Sequence, residues 1–371
     1  MKNRTKLLLV GVCALTMLGG CGSSKTAETT AAMEAAETEA ETTEAAQAVD
    51  PEDLPSATRD VFAMDTYMTL TAYGEYADEA VDAAAEEIER LDALWSVGNE
   101  ESEISQLNAE GSLVLSDETA ELVEESLELY EETGGLFDIT IYPLMEAWGF
   151  TTGDFGVPEK STIQKLLKKV DAGTLSYDAA KQELTLPEDV QIDLGGIAKG
   201  YTSARVMEIF GEYGITSGIV SLGGNVQAWH RKVDGSLWRI GIQNPDYSGK
   251  LFGDADYVGV LTVEDQAVIT SGGYERYFEE DGVTYHHILD PRNGYSADSG
   301  LISVTIVSDD GMLADGLSTS LFIMGKDAAL EFWRQHSDEF DTILIEEDGS
   351  ITITAGIQDS YTSDLEFTVA E

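Results

Sequence analysis

Through most of its length the chain alternates between two hydrophobic periods, and that switching is the tightest constraint on its fold. "VFAMDTYMTLTAYG" alternates like a strand. "ADEAVDAAAEEIERLDALW" follows at helical spacing, with Val81, Ala84, Ala85, Ile88, Leu91 and Leu94 or Trp95 on one side. Ser116, with a glutamate close behind, suits a capping box for a second helix, and Gly134-Gly135 would stop it. "FDITIYPLMEAWGF" reads as a loop entering a short element, residues 158–171 as a further helix, and "LSYDAAKQELTLP" as a hairpin. "VQIDLGGIAKGYTSARVMEIFGEYG" reads as strand, glycine turn and helix; "SGIVSLGGNVQAW" as a strand and glycine turn. Strand signals then run through "LWRIGIQNP", "YVGVLTVEDQAVITSG", "YERYFEEDGVTYHHILDP" and "LISVTIVS". "GMLADGLSTSLFIMG" reads as a short helix, and the chain closes on a hairpin turning at Asp348-Gly349. No repeat of solenoid period interrupts this order. Interleaved helices, strands and hairpins imply an α+β fold, with mixed, largely antiparallel sheets and packed helices, over a purely parallel sheet.

The N-terminus reads differently. Lys2, Arg4 and Lys6 precede an apolar run from Leu7 to Leu18 that is short for a bilayer span. "LGGC" then resembles a bacterial lipobox, in which Cys21 would be acylated and become the new N-terminus. Residues 1–21 are thus expected to be a lipoprotein signal peptide. The expected location is outside the cytoplasmic membrane, held to it by lipid. The chain's two cysteines, Cys13 and Cys21, both lie in this segment, so the body has no disulfide and no thiolate metal site. Residues 22–56 are acidic and rich in Ala, Thr and Glu, and read as a flexible tether. Residues 57–371 form the folded body.

Seventy acidic residues against 21 basic ones give a formal net charge of −49. Such a chain repels phosphates, which excludes nucleic-acid binding through a basic groove. A phosphorylated small molecule would be received most easily through a divalent cation.

Four stretches carry candidate chemistry. In "IDLGGIAKGY" a glycine turn leads into a helix near Ala198, with Asp193 before it and Lys199 after it. Such a turn suits a pyrophosphate, but it also serves as an ordinary strand-to-helix connection. In "ADGLSTS" a helix puts Asp315 and Thr319 on one face, a hard-oxygen pair suited to Mg²⁺ or simply a cap and a back-bonded threonine. "TYHHILDPRNG" holds two of the four histidines, His286 and His287. In a strand they face opposite ways, so only one can face a given site. "GGLFDITIYPLMEAWGF" offers Phe137, Trp148 and Phe150 as flat surface for a heterocycle, with Asp138 as a polar point; the alternative is ordinary core packing.

Taken in order, "AMDTYMT", "SEISQLN", "GGLFDITIYPLMEAWGF", "IDLGGIAKGY", "SLGGNV", "WRIGIQNP", "ITSGGYERYF", "YHHILDPRNG" and "ADGLSTSLFIMG" resemble the ApbE family of FAD:protein FMN transferases over about residues 60–325. The resemblance implies an ApbE-like α+β fold and a reaction in which FAD is the substrate. FMN is esterified to a threonine hydroxyl of a target flavoprotein, AMP leaves, and Mg²⁺ is required. Flavin-carrying subunits of membrane redox complexes are among the target types it implies. Carried over to this chain, the resemblance implies FAD contacts at Met64, Leu136, Phe137, Asp138, Gly195, Tyr201 and Leu289, with Asp193 and Lys199 beside them. It implies Mg²⁺ on the main-chain oxygen of Ala198 and the side chains of Asp315 and Thr319, and His287 beside the reacting phosphate. The chain departs from the family at Asp65, where glycine is frequent, and near Gly98, where a tyrosine is frequent and Trp95 is the nearest aromatic. It departs again at Gly273, where an acid is frequent and little effect is expected. A Mg²⁺-dependent FAD pyrophosphatase using water, and a flavin-binding lipoprotein without catalysis, are the alternative functions.

Overall fold

The structure, a computed structural model, describes residues 54–246, 249–253 and 255–371. Cys21 with its signal segment, and residues 22–53 of the tether, lie outside the described residues.

A nine-stranded sheet organises the body. From one edge its strands are Ser56–Ala63, Thr66–Tyr73, Ser217–Leu222, Asn225–Trp229, Ala267–Gly272, Leu301–Ser308, Asp341–Glu346, Ile351–Thr354 and Thr368–Ala370. Every neighbouring pair is antiparallel except the last, which is parallel. Among the described residues eight α-helices accompany it: α1 Ala77–Trp95, α2 Glu103–Glu110, α3 Asp117–Glu132, α4 Tyr142–Trp148, α5 Lys160–Leu166, α6 Ala198–Glu212, α7 Gly311–Met324 and α8 Lys326–Gln335. The α+β, largely antiparallel expectation holds.

Both faces of the sheet are covered, which explains why its inner strands are nearly continuous apolar runs. Met68, Leu70, Val220 and Leu222 pack with α1 and α6. Ile269, Val304, Ile306 and Leu344 join the core that includes Leu317 and Leu321 of α7. The alternate residues Ile219, Val268, Val307, Ile343 and Ile345 face the other way, onto Trp238, Ile240 and Leu261 of a three-stranded sheet. A smaller apolar cluster joins α4 and α5 to the hairpin Tyr277–Glu280/Val283–His286 through Leu144, Trp148, Phe150, Ile163 and Phe278.

Several local expectations change. "VFAMDTYMTLTAYG" is a hairpin, since Met64 and Asp65 both adopt left-handed backbone (φ 48° and 59°) and reverse the chain. The segment before Asp193 is not a strand. Asn108 meets the backbone of Ile192 with both ends of its amide (2.8 and 2.9 Å), replacing a ladder partner. Ser116 does cap α3, but the reciprocal acid is Glu103 of α2, which accepts from the Ser116 N–H at 2.7 Å. The helix carrying Asp315 is 14 residues long rather than short, because its residues are apolar nearly all round and lie buried between α6 and the sheet.

Helices α6 and α7 cross at a glycine contact. A Cβ on Gly200 would sit 2.2 Å from Gly311 O and 2.8 Å from Asp315 Cβ, so a side chain cannot be accommodated without separating the helices. Gly200→Ala is therefore expected to destabilise the fold by about 1–3 kcal/mol, the usual cost of overpacking. Urea unfolding of the two proteins checks it through the midpoint.

Candidate active site

The first turn of α6 lacks a side-chain cap of its own, because its N-cap residue is Ile197. Asp315, reaching across from α7, fills that role: its Oδ2 accepts from the Gly200 N–H at 2.9 Å. A carboxylate at a helix N-terminus satisfies an orphan donor and meets the positive end of the dipole. The Lys199 ammonium stands 3.7 Å from Asp315 Oδ1. Ala198 O accepts the Thr202 hydroxyl at 2.7 Å, and Met64 Sδ lies 3.7 Å from that hydroxyl. One turn along α7, Thr319 Oγ1 is 3.4 Å from Ser271 Oγ. The α6–α7 crossing thus gathers Ala198, Lys199, Asp315 and Thr319.

Ahead of α6, Asp193 Oδ1 accepts from the Gly195 N–H at 2.6 Å and shapes the glycine turn. Burial pushes the Asp193 carboxyl up; the Gly195 bond, Arg276 and Lys199 oppose that, and Asp65 adds to it. Phe137 is buried and braces the turn from beneath, its ring 3.2 Å from where a Gly196 Cβ would be.

The histidine pair splits as strand alternation requires. Its hairpin turns at Asp281-Gly282, both left-handed, and pairs Tyr277 with His286. His286 points inward. Its Nε2 lies 3.1 Å from Ala297 O and its ring meets the edge of Phe322. A Cβ at Gly273 would lie 2.9 Å from this ring, so glycine there clears its seat, contrary to the expectation of little effect. His287 continues the ladder, donating its N–H to Arg276 O at 3.0 Å, and its ring meets Phe150 edge-on. Burial, with Arg276, His286 and Lys199 adding to it, depresses the His287 imidazole to about 3, so it is neutral. Its Nδ1 is buried without a hydrogen-bond partner.

Two residues that sequence reasoning missed complete the cluster. Burial pushes the Glu275 carboxyl up to about 8; Lys199 and Arg276 pull against this and Asp315 adds to it. Glu275 Oε1 is 3.3 Å from where a Gly224 Cβ would stand, in the Gly223-Gly224 turn between two sheet strands. Arg276 follows it. The signal for both was the Asp281-Gly282 turn, since counting outward from a two-residue loop pairs 276 with 287.

Other expected residues are taken up by packing or by bonds of their own. Tyr201 packs edge-on against Trp95 (5.4 Å) and lines a different cleft, of about 670 Å³, with Glu118, Glu121 and Asp310. Trp95 is buried and donates to Thr119 Oγ1, so it offers no stacking face in place of the missing tyrosine. Trp148 and Phe150 are core residues, not a platform for a heterocycle. The Asp138 carboxylate is engaged by Thr140 (2.9 Å from its N–H) and Ala172. Leu136 is half-buried against the main core, and Leu289 is buried beside Trp148 and Phe278.

As a metal-binding set, Asp315, Thr319 and the Ala198 carbonyl are all hard oxygens, which fits Mg²⁺. Among the described residues no cluster of three or more His, Cys, Asp or Glu could hold a metal alone. A single carboxylate with neutral oxygens suits an ion that completes its shell with water and substrate phosphate.

The Glu275 shift has a measurable consequence. Its carboxyl titrates near 8 when folded against an ordinary 4.5. Below 4.5 both states carry the proton and the group is neutral in effect; as pH rises toward 8 the unfolded chain ionises first and folding weakens. Glu275→Gln should therefore gain stability over the parent progressively across that window in metal-free buffer. Urea midpoints at pH 5 and pH 8 give the comparison; an equal difference at both would overturn the assignment.

Residues 64–344 match the ApbE family. A FAD:protein FMN transferase of Haemophilus influenzae is 30% identical over 295 residues, 76% of this chain and 83% of the relative. One from Klebsiella pneumoniae is 32% identical over 273 residues, 72% of this chain and 82% of the relative. The crystal structure of an ApbE protein from Thermotoga maritima superposes with a TM-score of 0.75 at 31% identity, covering 82% of this chain and 99% of that one. By its match to the family over residues 64–344, its similarity to these relatives and its fold, the chain belongs to the ApbE family.

Proposed function

We propose that this protein transfers the FMN half of FAD to a threonine hydroxyl of a target flavoprotein, releasing AMP, in a Mg²⁺-dependent reaction. One observation carries the reading: a buried carboxylate, two cations and a neutral histidine meet beside a glycine turn, in a chain of this family. Relatives named FAD:protein FMN transferase support the donor, the transferred group and a protein acceptor.

Asp315, Thr319 Oγ1 and Ala198 O would hold Mg²⁺, which supplies positive charge to the FAD diphosphate when bound. Lys199, with amides of the glycine turn other than that of Gly195, would hold diphosphate oxygens that the acidic molecule would otherwise repel. The acceptor threonine oxygen bonds to the FMN phosphorus as the bond from that phosphorus to the AMP oxygen breaks. AMP departs with the electron pair. His287 accepts the threonine proton. In the free protein burial, with the nearby cations adding to it, holds His287 uncharged and weakly basic. The incoming diphosphate counters those cations, so the imidazole gains basicity where a substrate is bound.

We further infer that an acylated Cys21 holds the protein outside the cytoplasmic membrane, with residues 22–56 as the tether. The basic start, apolar run and "LGGC" order support this. No helix among the described residues is long and apolar enough to cross a membrane. The target class is a flavin-carrying subunit of an extracytoplasmic or membrane redox complex.

Mass spectrometry of a flavin-carrier domain co-expressed with this protein should find an FMN mass on a threonine. Release of free FMN and AMP from FAD alone, at the same rate with or without the carrier and with no adduct, would instead favour a pyrophosphatase. Flavin recovered uncut with Mg²⁺ and carrier present would favour a non-catalytic carrier. His287→Ala should slow transfer by roughly 10²–10⁴-fold while FAD still binds. Asp315→Asn keeps an acceptor for the Gly200 N–H but removes the charge. It should abolish the Mg²⁺ dependence of transfer together with activity; an unaltered metal titration would remove Asp315 from the ligand set.

A further inference from the structure

We propose that Arg276 is a substrate-binding residue of this site, its guanidinium clamping the non-bridging oxygens of the FAD diphosphate beside His287. The proposal rests on the FMN-transfer reading and adds to it a residue to which neither the sequence motifs nor the family resemblance gave a role.

The backbone fixes where Arg276 faces. In an antiparallel ladder, directly opposite residues project on the same side. Tyr277 pairs with His286, and the His287 N–H to Arg276 O bond (3.0 Å) extends the register by one pair. Arg276 and His287 therefore share one side of the hairpin with Phe278 and Tyr285, whose stacked rings (5.4 Å) rest on Trp148. Phe278 and Trp148 are buried and Tyr285 is partly so, which seats the two polar groups at the end of an apolar bed.

The guanidinium is held without being neutralised. One terminal nitrogen donates to Phe150 O, the carbonyl of the residue whose ring abuts His287. Among the described residues Arg276 forms no ion pair, although most arginines of this chain do, including Arg59, Arg90, Arg205, Arg231, Arg292 and Arg334. In a molecule of net charge −49, a half-buried arginine with no direct ion pair, reached only through space by Asp193, keeps its donors for another anion. Glu275, its neighbour in sequence, carries no compensating ion pair and holds its proton to about 8. The fork geometry of a guanidinium matches a phosphate's paired oxygens, and one donor spent on a carbonyl leaves several for them. Lys199, whose charge also reaches His287, supplies a point charge from α6. The diphosphate would then be gripped by cations from two separate elements.

The test separates recognition of the diphosphate from transfer. FAD and riboflavin, which shares the isoalloxazine and ribityl chain but has no phosphate, are titrated by flavin fluorescence in EDTA, so that nothing is cut. The parent protein should prefer FAD. Arg276→Gln should weaken FAD by about ten- to a hundredfold, the worth of charge-assisted hydrogen bonds, and leave riboflavin unchanged. Arg276→Lys keeps the charge and loses the fork, so it should fall between the two. Unchanged FAD affinity in both variants overturns the proposal while leaving FMN transfer intact. A parent protein that binds FAD no better than riboflavin also overturns the clamp, while the transfer reading stands or falls on the mass spectrometry of the carrier. Should the glutamine variant fail to fold, the lysine variant decides alone: FAD selectivity equal to the parent's counts against the clamp, and a selective loss supports it.

Discussion

One hydrogen bond joins the fold of this protein to its chemistry: Asp315 Oδ2 accepting the N–H of Gly200 across the α6–α7 crossing. A helix that starts with isoleucine at its cap leaves its first donors unpaired, and the facing helix repairs this with a buried carboxylate. The repair demands close approach, which is why Gly200 and Gly311 meet there. The same carboxylate faces Lys199 and lies one turn from Thr319. A structural cap and the proposed cation ligand are thus the same side chain, and the site cannot loosen without loosening the core of the protein.

The opposite wall depends on a different rule. The hairpin turning at Asp281-Gly282 sets a register in which one histidine faces Phe322 and the next faces the opposite side, toward Phe150. Core packing around Trp148 and Phe278 holds that wall, so His287 is oriented by apolar contacts rather than by a carboxylate partner. Electrostatics then decides its state. Burial, and after it two cations, strip it of charge, which suits a base awaiting an anionic substrate.

The sequence disclosed unequal parts of this. Element types were legible where the hydrophobic period was long, as in α1, whose buried face is Val81, Ala84, Ile88, Leu91 and Trp95. The Asp315–Thr319 pair was legible because four residues on a helix fix a common face. Its partners on α6 came from the family resemblance, and no local pattern announces that two helices cross at Gly200. Met64 and Asp65 hid a chain reversal because neither is a residue that favours left-handed backbone as glycine does. The aromatics of "FDITIYPLMEAWGF" read equally well as a ligand platform or as core, and only burial distinguishes them. Arg276 was within reach of simple counting from a two-residue turn, yet nothing in its composition marks it out.

The order of strands in the large sheet has a consequence for how the chain acquires activity. Its proposed site groups come from the first turn of α6, the 276–287 hairpin and the middle of α7, brought together by antiparallel neighbours distant in sequence. Loops of that span must close before any of these groups meet, so contact order is high and folding is correspondingly slow. A growing polypeptide that has not yet docked α7 lacks Asp315 and Thr319, and it can present neither the capped α6 nor the full set of oxygen donors. Competence therefore arrives late and all at once, with the last third of the body.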